Sequence, residues 1–520
     1  MEKSMRFNRT KNAARNIFYG SILKIYQLIV PFFMRTIMIY FLGMEYLGLD
    51  SLFISVFQVL NLAELGVGSA MVYSMYEPMV VNDQRKIRSL LHLYRMYYRV
   101  IGFVILVVGL IFTPFIPHLI HGNIPSDMNL YVLYILNLLA TVASYWLYAY
   151  KSSILNAYQR NDIISKITLL TNTIRYIFQI LVIIWFKNYY GYLIVALGLQ
   201  ILTNIIIAVV TGKLYPDLTV GEPLAKEEVK VINERIRDLM TAKLGGVVLA
   251  PSDTLIISYF LGLTVLAQYQ NYFYIVTAVA AMIGVVFASV TAGVGNSLIV
   301  ESKKKNFQDL TKFTFIICWV SGIGSACMLT MYQPFIELWV GKLNMLDYGV
   351  VICLAVYFFV TVLNQLLNLY KDAGGVWRRD RFRPLVVSLI NIILNILIVQ
   401  IWGVYGALLS TVLSMILVGM PWLMYNLFTT IFEIKFFKRY FYKLIYYVSI
   451  TIIGCIISVF LCSLIKTNLI ITLVLNAIIS IVVMDVLYIL AYHNQVEFVE
   501  VARLADKLTA HKIRFLRKFF

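Results

Sequence analysis

Charged side chains lie inside several long apolar runs of this 520-residue sequence. Lys24, Arg35 and Arg175 are cationic, whereas Glu64 and Asp253 are acidic. A charge is costly in hydrocarbon, so such residues usually face a bundle interior or a water-filled cavity. A guanidinium group binds phosphate through two hydrogen bonds, and an intramembrane carboxylate can take a proton or a sodium ion. These residue types therefore indicate binding and ion coupling.

Arg175 lies midway along a predicted helix with the sequence TNTIRYIFQ. Asn172 and Gln179 stand three residues before and four residues after it, so all three side chains share one helix face. Such a polar stripe with a central arginine suits a phosphate or the hydroxyls of a sugar. An interhelical hydrogen-bonding face is the alternative, and the spacing leaves both interpretations open.

Two further ion pairs are possible between the helices that flank a predicted turn at Gly43. Lys24 and Glu64 lie at similar distances from this turn along two consecutive helices. They can form a structural ion pair, or Lys24 can extend to the inner membrane face. Arg35 and Asp50 lie nearer the outer end and can pair in the same way.

Enzyme chemistry has little support in the sequence. None of the five histidines is central to an apolar run, and there is no Walker A motif. The five cysteines show no CxxC spacing, which favours free thiols over a metal site. We therefore expect no catalytic residue, no metal ligand and no cofactor, apart from coupling to a gradient of H⁺ or Na⁺.

The composition indicates a polytopic membrane protein. The sequence is 61% hydrophobic and 13% charged, with a mean hydropathy of +0.81. A soluble domain cannot bury so much apolar surface. The net charge of +18 does not indicate nucleic acid, because the basic residues lie between the apolar runs.

Fourteen apolar runs are long enough to span a bilayer, each having about 20 residues or more. They cover approximately residues 16–42, 47–79, 96–120, 129–150, 163–186, 190–212, 241–262, 264–299, 313–339, 348–371, 384–402, 404–427, 444–465 and 468–492. With a cytoplasmic N-terminus, 38 of the 44 Lys and Arg residues fall on the cytoplasmic side. The positive-inside rule therefore predicts that both termini are cytoplasmic.

Two sequence matches at one offset predict an internal duplication. YFLG at residues 40–43 recurs at 259–262, and LTN at 170–172 is matched by LIN at 389–391, each 219 positions later. Duplicated units are common in transporters. Arg35 and Asp253 precede the two YFLG segments by similar distances, so we expect them at similar depth on equivalent helices.

The duplication predicts the following domains: an N-terminal lobe at 1–212, a linker at 213–240, a C-terminal lobe at 241–427, two further spans at 428–492 and a basic tail at 493–520. Residues 224–240 of the linker are amphipathic, and we expect them to form a helix along the membrane surface. The tail is amphipathic too and ends in KIRFLRKFF, which predicts contact with anionic lipids.

The segment 34–70, with YLGLDSLF and LNLAELGVGSA, resembles the polysaccharide-exporter family, which comprises lipid-linked oligosaccharide flippases of the Wzx type. DTLIISYFLG and NIILNILIVQIWGVYGALLSTVLS in the second half are similar to this family too. The resemblance covers residues 12–430. It implies two six-helix lobes around a central, often cationic cavity, and places this family with multidrug extruders and the lipid II flippase.

The resemblance also implies a function and a location. The cargo would be an undecaprenyl-pyrophosphate-linked oligosaccharide, moved from the inner to the outer leaflet of the bacterial cytoplasmic (inner) membrane by alternating access. The product would serve O-antigen, capsule or exopolysaccharide assembly, with a polysaccharide polymerase and glycosyltransferases as partners. By position, Lys24 and Arg35 match cavity cations of the family, whereas Asp253 departs from a cationic position.

Two alternatives stay open. A multidrug or metabolite extruder of the same fold would carry cationic or amphipathic cargo and favour an acidic cavity. A membrane-embedded polysaccharide polymerase or acyltransferase would require an external carboxylate or histidine site, and the short external loops disfavour it.

Overall fold

The computed structural model describes residues 9–122, 124–465 and 467–508, and within these ranges the chain is all-α, without strands. Its internal contacts divide the chain into a first unit, Met1–Ala267, and a second unit, Gln268–Phe520. The first nine helices are α1 (Arg9–Phe41), α2 (Met44–Leu60), α3 (Val67–Val80), α4 (Gln84–Phe112), α5 (Leu130–Trp146), α6 (Ser152–Ala157), α7 (Asn161–Phe186), α8 (Tyr189–Leu214) and α9 (Lys226–Leu261). The next ten are α10 (Leu263–Val300), α11 (Lys303–Val340), α12 (Tyr348–Ala373), α13 (Trp377–Asp380), α14 (Arg383–Trp402), α15 (Val404–Ser414), α16 (Met420–Thr430), α17 (Phe437–Ser463), α18 (Leu469–Tyr492) and α19 (Val496–Leu508).

The number of membrane-spanning helices agrees with the prediction from the sequence. Within the described ranges, 13 helices are long and apolar enough to cross a membrane. The count is 14 if α5 and residues Ala149–Ala157, which are bent by 46° relative to it, are taken together as one span. The all-α, polytopic fold class with about fourteen spans is therefore confirmed.

The duplication is visible in the positions where helices begin. Met44 and Leu263, the first residues of α2 and α10, lie 219 positions apart. Gln84 and Lys303, which begin α4 and α11, show the same offset. The hydrophobic pattern of each half thus produces corresponding helices at corresponding positions.

One element differs between the two halves. The sequence predicts a single run at 47–79, but the structure ends α2 at Leu60 and continues with a 3₁₀ turn, Asn61–Glu64. Gly66 then adopts a left-handed conformation with φ of +86° before α3 begins. The corresponding α10 runs through Leu263–Val300 as one α-helix. Only the first half therefore interrupts this helix, and the interruption contains Glu64.

The amphipathic part of the linker belongs to a longer helix. Residues from Lys226 onward form one α-helix, α9, that continues to Leu261 without a separate surface element. This helix packs against α2 and α3 within the first unit. Glu228 pairs with Lys86 at 2.9 Å, and Asn233 accepts a hydrogen bond from Tyr97 at 2.6 Å. These polar contacts join the amphipathic segment to α4, and its expected position along the membrane surface stays a prediction.

The described part of the tail packs on protein as well. Phe498 of α19 is buried, and its ring stacks on Trp319 of α11 with centroids 6.1 Å apart. Glu500 pairs with Lys312 at 3.7 Å. These contacts attach the segment to α11. Its expected contact with anionic lipids stays a prediction, and KIRFLRKFF lies outside the described residues.

A buried aspartate fixes the start of α7, the helix that carries Arg175. Asp162 is 0% exposed, and its carboxylate lies 3.0 Å from Nε of Arg160 and 3.9 Å from Nε of Arg15. Its backbone N–H donates to the side chain of Asn16 at 2.8 Å. Since Arg15 and Asn16 belong to α1, these contacts set the register between α1 and α7.

The second unit has a corresponding aspartate 218 positions later. Asp380 is buried before α14, where Arg383 donates to both carboxylate oxygens at 2.7 and 2.8 Å. Asn426 of α16 donates to the same carboxylate at 3.1 Å. A charged pair out of water needs such complete hydrogen bonding, because desolvation otherwise exceeds the Coulombic attraction.

Candidate functional site

Arg35, Asp50 and Arg175 come together in the first unit from three different helices. Arg35 lies on α1, Asp50 on α2 and Arg175 on α7, and both guanidinium groups interact electrostatically with the Asp50 carboxylate. The hydroxyl of Tyr189, the first residue of α8, donates to Asp50 Oδ1 at 3.2 Å. The phenol of Tyr192 lies within electrostatic range of the same three charges. We call Arg35, Asp50, Arg175, Tyr189 and Tyr192 the arginine cluster.

The helix packing explains this convergence. The turn at Gly43 reverses the chain, so α2 contacts α1, and α7 packs against both α1 and α8. Arg35 and Asp50 lie on opposite sides of the turn and meet, as one of the open pairings proposes. The contacts of Asp162 at the other end of α7 hold Arg175 in register with α1.

The charge balance of the arginine cluster favours an anion. Two guanidinium groups face one carboxylate, and the cluster lies within membrane-spanning helices. The Nε atom of Arg175 is buried and has no hydrogen-bond partner in the described part of the chain. The guanidinium carbon of Arg175 lies 4.7 Å from the ring centroid of Tyr176, which leaves the planar group supported on one face. A buried donor without a partner is costly, so an anionic ligand that accepts from it is stabilised there.

The two amides beside Arg175 have different environments. Gln179 is buried, and its Nε2 donates to the backbone oxygen of Tyr192 at 3.2 Å. This bond joins α7 to α8, as expected for an interhelical contact, but the Oε1 atom of Gln179 lacks a partner among the described residues. Asn172 is half-buried on the same face. The stripe thus contributes to helix packing and still offers one unused acceptor.

Lys24 and Glu64 have separate environments. The side chain of Lys24 is exposed on α1. Glu64 instead accepts from Tyr98 at 2.5 Å and from Tyr145 at 2.8 Å, one bond to each carboxylate oxygen. In the described ranges no ion pair within 4.0 Å joins Lys24 to Glu64. The extended-lysine interpretation therefore fits this geometry better than the ion pair.

The hydrogen bonds around Glu64 extend into a chain of hydroxyls. Tyr94 donates to Tyr98 at 2.7 Å, and the single proton of the Tyr145 hydroxyl is shared between Glu64 and Asn61 Oδ1, which lies 3.1 Å away. These residues lie on α4, α5 and the 3₁₀ turn that interrupts α2 and α3. An acidic side chain that receives neutral donors can exchange its proton or accept a small cation without breaking an ion pair. We call Glu64, Asn61, Tyr94, Tyr98 and Tyr145 the tyrosine cage.

Asp253, the other predicted coupling residue, is buried in α9 at 6% exposure. This helix packs against α2, which carries Asp50. No group of three or more His, Cys, Asp or Glu side chains within the described ranges is arranged to hold a metal ion.

The prediction from sequence omitted the tyrosines of both clusters. Tyrosine is so abundant here, with 36 residues, that individual roles cannot be assigned from composition. The useful signal is spacing: Tyr94 and Tyr98 stand four residues apart, and Tyr189 and Tyr192 three, so each pair lies on one helix face. The structure adds what the spacing lacks, namely which carboxylate each pair faces.

The fold is known from solved transporter structures. A structure described as "Lipid II flippase MurJ, inward closed conformation" matches with a TM-score of 0.66 and 16% identity, over 92% of this chain and 99% of that chain. This chain has the MurJ fold. A structure described as an inward-facing multidrug resistance MATE family transporter of the MOP superfamily has a TM-score of 0.53 and 13% identity, covering 78% of this chain and 97% of that one.

A second MATE structure, in the bent conformation, matches with a TM-score of 0.51 and 12% identity over 80% of this chain and 94% of that chain. No family model and no curated protein sequence matches the chain. At these identities the likeness establishes the fold alone, and the function has to be argued from the site.

Proposed function

We propose that this protein is a flippase that moves undecaprenyl-pyrophosphate-linked oligosaccharide repeat units from the inner to the outer leaflet of the bacterial cytoplasmic membrane. It works by alternating access and supplies surface polysaccharide assembly, such as O-antigen, capsule or exopolysaccharide. Both termini are cytoplasmic, in agreement with the distribution of Lys and Arg. A polysaccharide polymerase and glycosyltransferases are its partners in this pathway.

The observation that carries the proposal is the arginine cluster. Moving a pyrophosphate through hydrocarbon has a prohibitive desolvation cost, which a hydrated cationic site lowers. Arg35 and Arg175 supply two guanidinium groups against the single carboxylate of Asp50, and Nε of Arg175 is an unused buried donor. Asn172 and Gln179 add amide groups for sugar hydroxyls, and Lys24 adds a further cation on α1.

Glu64 and Asp253 are the candidates for ion coupling by H⁺ or Na⁺. The tyrosine cage holds Glu64 beside an interruption between two helices. Interrupted membrane helices are typical of ion and substrate sites in transporters. Because the corresponding α10 is continuous, the interruption marks the first half as the place of this function.

The experiment measures the leaflet location of lipid-linked oligosaccharide in cells depleted of the protein and complemented with variants. We expect depletion to cause inner-leaflet accumulation that the wild type relieves. Arg175→Ala should reduce outward transfer at least tenfold at normal protein level. Arg175→Lys should retain part of it, because it keeps the charge but loses the two-pronged geometry.

Lys187→Ala is the matched control, since this exposed cation follows the same helix and lies outside the cluster. It should transfer as wild type does. If Arg35→Ala and Arg175→Ala both leave transfer intact at normal protein level, the cationic mechanism is wrong. Normal transfer after depletion, with redundant flippases deleted, would contradict the flippase itself.

A multidrug or metabolite extruder is the second candidate, and the tyrosine cage favours it, because an uncompensated carboxylate attracts cationic cargo. MATE transporters share the fold. In this case Glu64→Gln would abolish efflux of an amphipathic cation such as ethidium, whereas Arg175→Ala would not. If Arg175→Ala abolishes transport and Glu64→Gln does not, the result supports the flippase. A polymerase or acyltransferase remains a third proposal, which a glycan chain-length or acylation assay on the depleted cells tests.

A further inference from the structure

An apolar cleft of about 930 Å³ lies within the second unit, between α17 on one side and α12 and α16 on the other. Its volume is in the range of ligand pockets, about 300–1,000 Å³. The helix α17 packs on α11 and α18, whereas the cleft separates it from α12 and α16. Residues 268–520 supply all of its lining.

The cleft is as long as the membrane is thick. Phe441 and Ser463, at its two ends on α17, are 22 positions apart. At 1.5 Å per residue this spans about 33 Å, close to the hydrocarbon core of about 30 Å. Ile452 and Ile456, which line the cleft along its length, are also 54% and 63% exposed, so the cleft is open sideways to the bilayer.

The polar side chains along the walls are already satisfied. Ser325 donates to the Ala355 oxygen at 3.2 Å, and Thr451 donates to the Tyr447 oxygen at 2.9 Å. Tyr348, near the other end, donates to the Leu329 oxygen at 3.1 Å. Since these hydroxyls are used within the protein, the cleft offers hydrocarbon chains an apolar surface and offers a sugar or an ion almost no partner.

A cation lies at one end of the cleft. Lys438 precedes Phe441 by three residues and therefore extends the cleft face of α17 by one turn. Its side chain is exposed, with Nζ 6.0 Å from the Tyr442 ring centroid. Within the described ranges no carboxylate lies within 4.0 Å of this amine, and the nearby Glu433 pairs with Lys435.

We propose that the cleft binds an anionic membrane phospholipid, with its acyl chains along α17 and its phosphate at Lys438. A membrane phospholipid is favoured because the cleft opens directly to the bilayer, where such lipids are in large excess. The charge of Lys438 selects an anionic headgroup, as basic residues at membrane surfaces do. This proposal does not depend on the cargo or on transport.

The test uses the purified full-length protein after incubation with vesicles of equal phosphatidylglycerol and phosphatidylcholine. Native mass spectrometry then identifies and counts the retained lipids. We expect wild type to retain phosphatidylglycerol in preference to phosphatidylcholine. Val356→Trp, which fills the cleft, should reduce retained lipid at least fivefold. Lys438→Gln should keep the lipid but lose the preference for phosphatidylglycerol.

Two variants serve as controls. Val486→Trp places the same bulk at a valine of similar exposure on α18, at 47% against 43% for Val356, and should retain lipid as wild type does. Lys342→Gln removes an exposed lysine elsewhere in the second unit and should keep the lipid preference. Equal retention by Val356→Trp and Val486→Trp would overturn the proposal. So would an unchanged preference in Lys438→Gln, or a retained lipid whose mass is that of a polyisoprenyl phosphate.

Discussion

Gly43 and Gly262, 219 positions apart, adopt the same rare backbone conformation between consecutive helices. Their φ/ψ angles are +116°/172° and +86°/176°, a region that is essentially restricted to glycine. Each glycine ends a YFLG segment and joins a helix to the first residues of the next. The duplication therefore preserves a conformation as well as a sequence, and this turn determines where Arg35 and Asp50 meet.

The first prediction concerns these turns. Gly43→Ala should lower the free energy of unfolding by about 1–3 kcal/mol, because alanine is strained at this φ. Gly262→Ala should cost more, since its Cβ would lie 2.6 Å from the backbone oxygen of His121, whereas Gly43 has open space. Thermal unfolding in detergent measures both. Gly198→Ala, in α8 with open space around it, is the control and should be neutral or stabilising. Equal stability of all three variants would contradict the assigned strain.

The second prediction concerns the coupling between Arg35 and Asp50. Asp50→Asn should destabilise the protein, because it leaves two guanidinium groups without their shared counter-charge. Arg35→Gln in the same chain should restore part of the loss, with a coupling energy of about 0.5–3 kcal/mol. A double-mutant cycle of melting temperatures measures it. Strictly additive effects would show that the two side chains do not interact.

The third prediction concerns the tyrosine cage. Glu64→Gln keeps the shape but removes the titratable group, so transport in proteoliposomes should no longer respond to an imposed H⁺ or Na⁺ gradient. Tyr145→Phe removes a direct donor to the carboxylate and should weaken the response. Tyr94→Phe is the matched control with a smaller effect, because Tyr94 donates to Tyr98 rather than to Glu64. If Glu64→Gln still responds to the gradient, Glu64 is not the coupling residue and Asp253 is the candidate that is left.

The fourth prediction compares buried and exposed ion pairs. Asp380→Asn should destabilise the protein by about 3–5 kcal/mol, because it leaves the buried Arg383 without its counter-charge. Asp162→Asn should act in the same direction in the first unit. Arg85→Ala breaks a pair with Glu222 whose side chains are 87% and 79% exposed, and should leave the melting temperature unchanged. A similar change in melting temperature in all three variants would show that burial does not determine how much an ion pair contributes to stability.

The sequence by itself determined the membrane class, the approximate spans and the duplication. These features depend on hydropathy and on recurrence along the chain, which need no knowledge of packing. It also selected Arg35 and Asp50 as a possible pair, because both lie a short distance from one turn. Residues that are close in sequence across a tight turn are close in space in nearly any fold.

Only the tertiary structure decided the partner of Glu64. Lys24 and Glu64 lie at similar heights on successive helices, but height does not fix the direction in which each side chain points. The interruption at Asn61–Glu64 and the left-handed Gly66 turn the carboxylate toward Tyr98 and Tyr145 on α4 and α5. Helix rotation and long-range packing set this direction, and neither is encoded in local periodicity.

The same limit applies to the linker and to Arg175. Residues 224–240 are amphipathic, and this pattern fits a membrane surface and a protein surface equally well. Only the structure shows that this segment contacts Lys86 and Tyr97. The helical face of Arg175 is evident from spacing. That this face meets Arg35 and Asp50 follows from how α7 packs on α1, which depends on side chains more than a hundred residues apart.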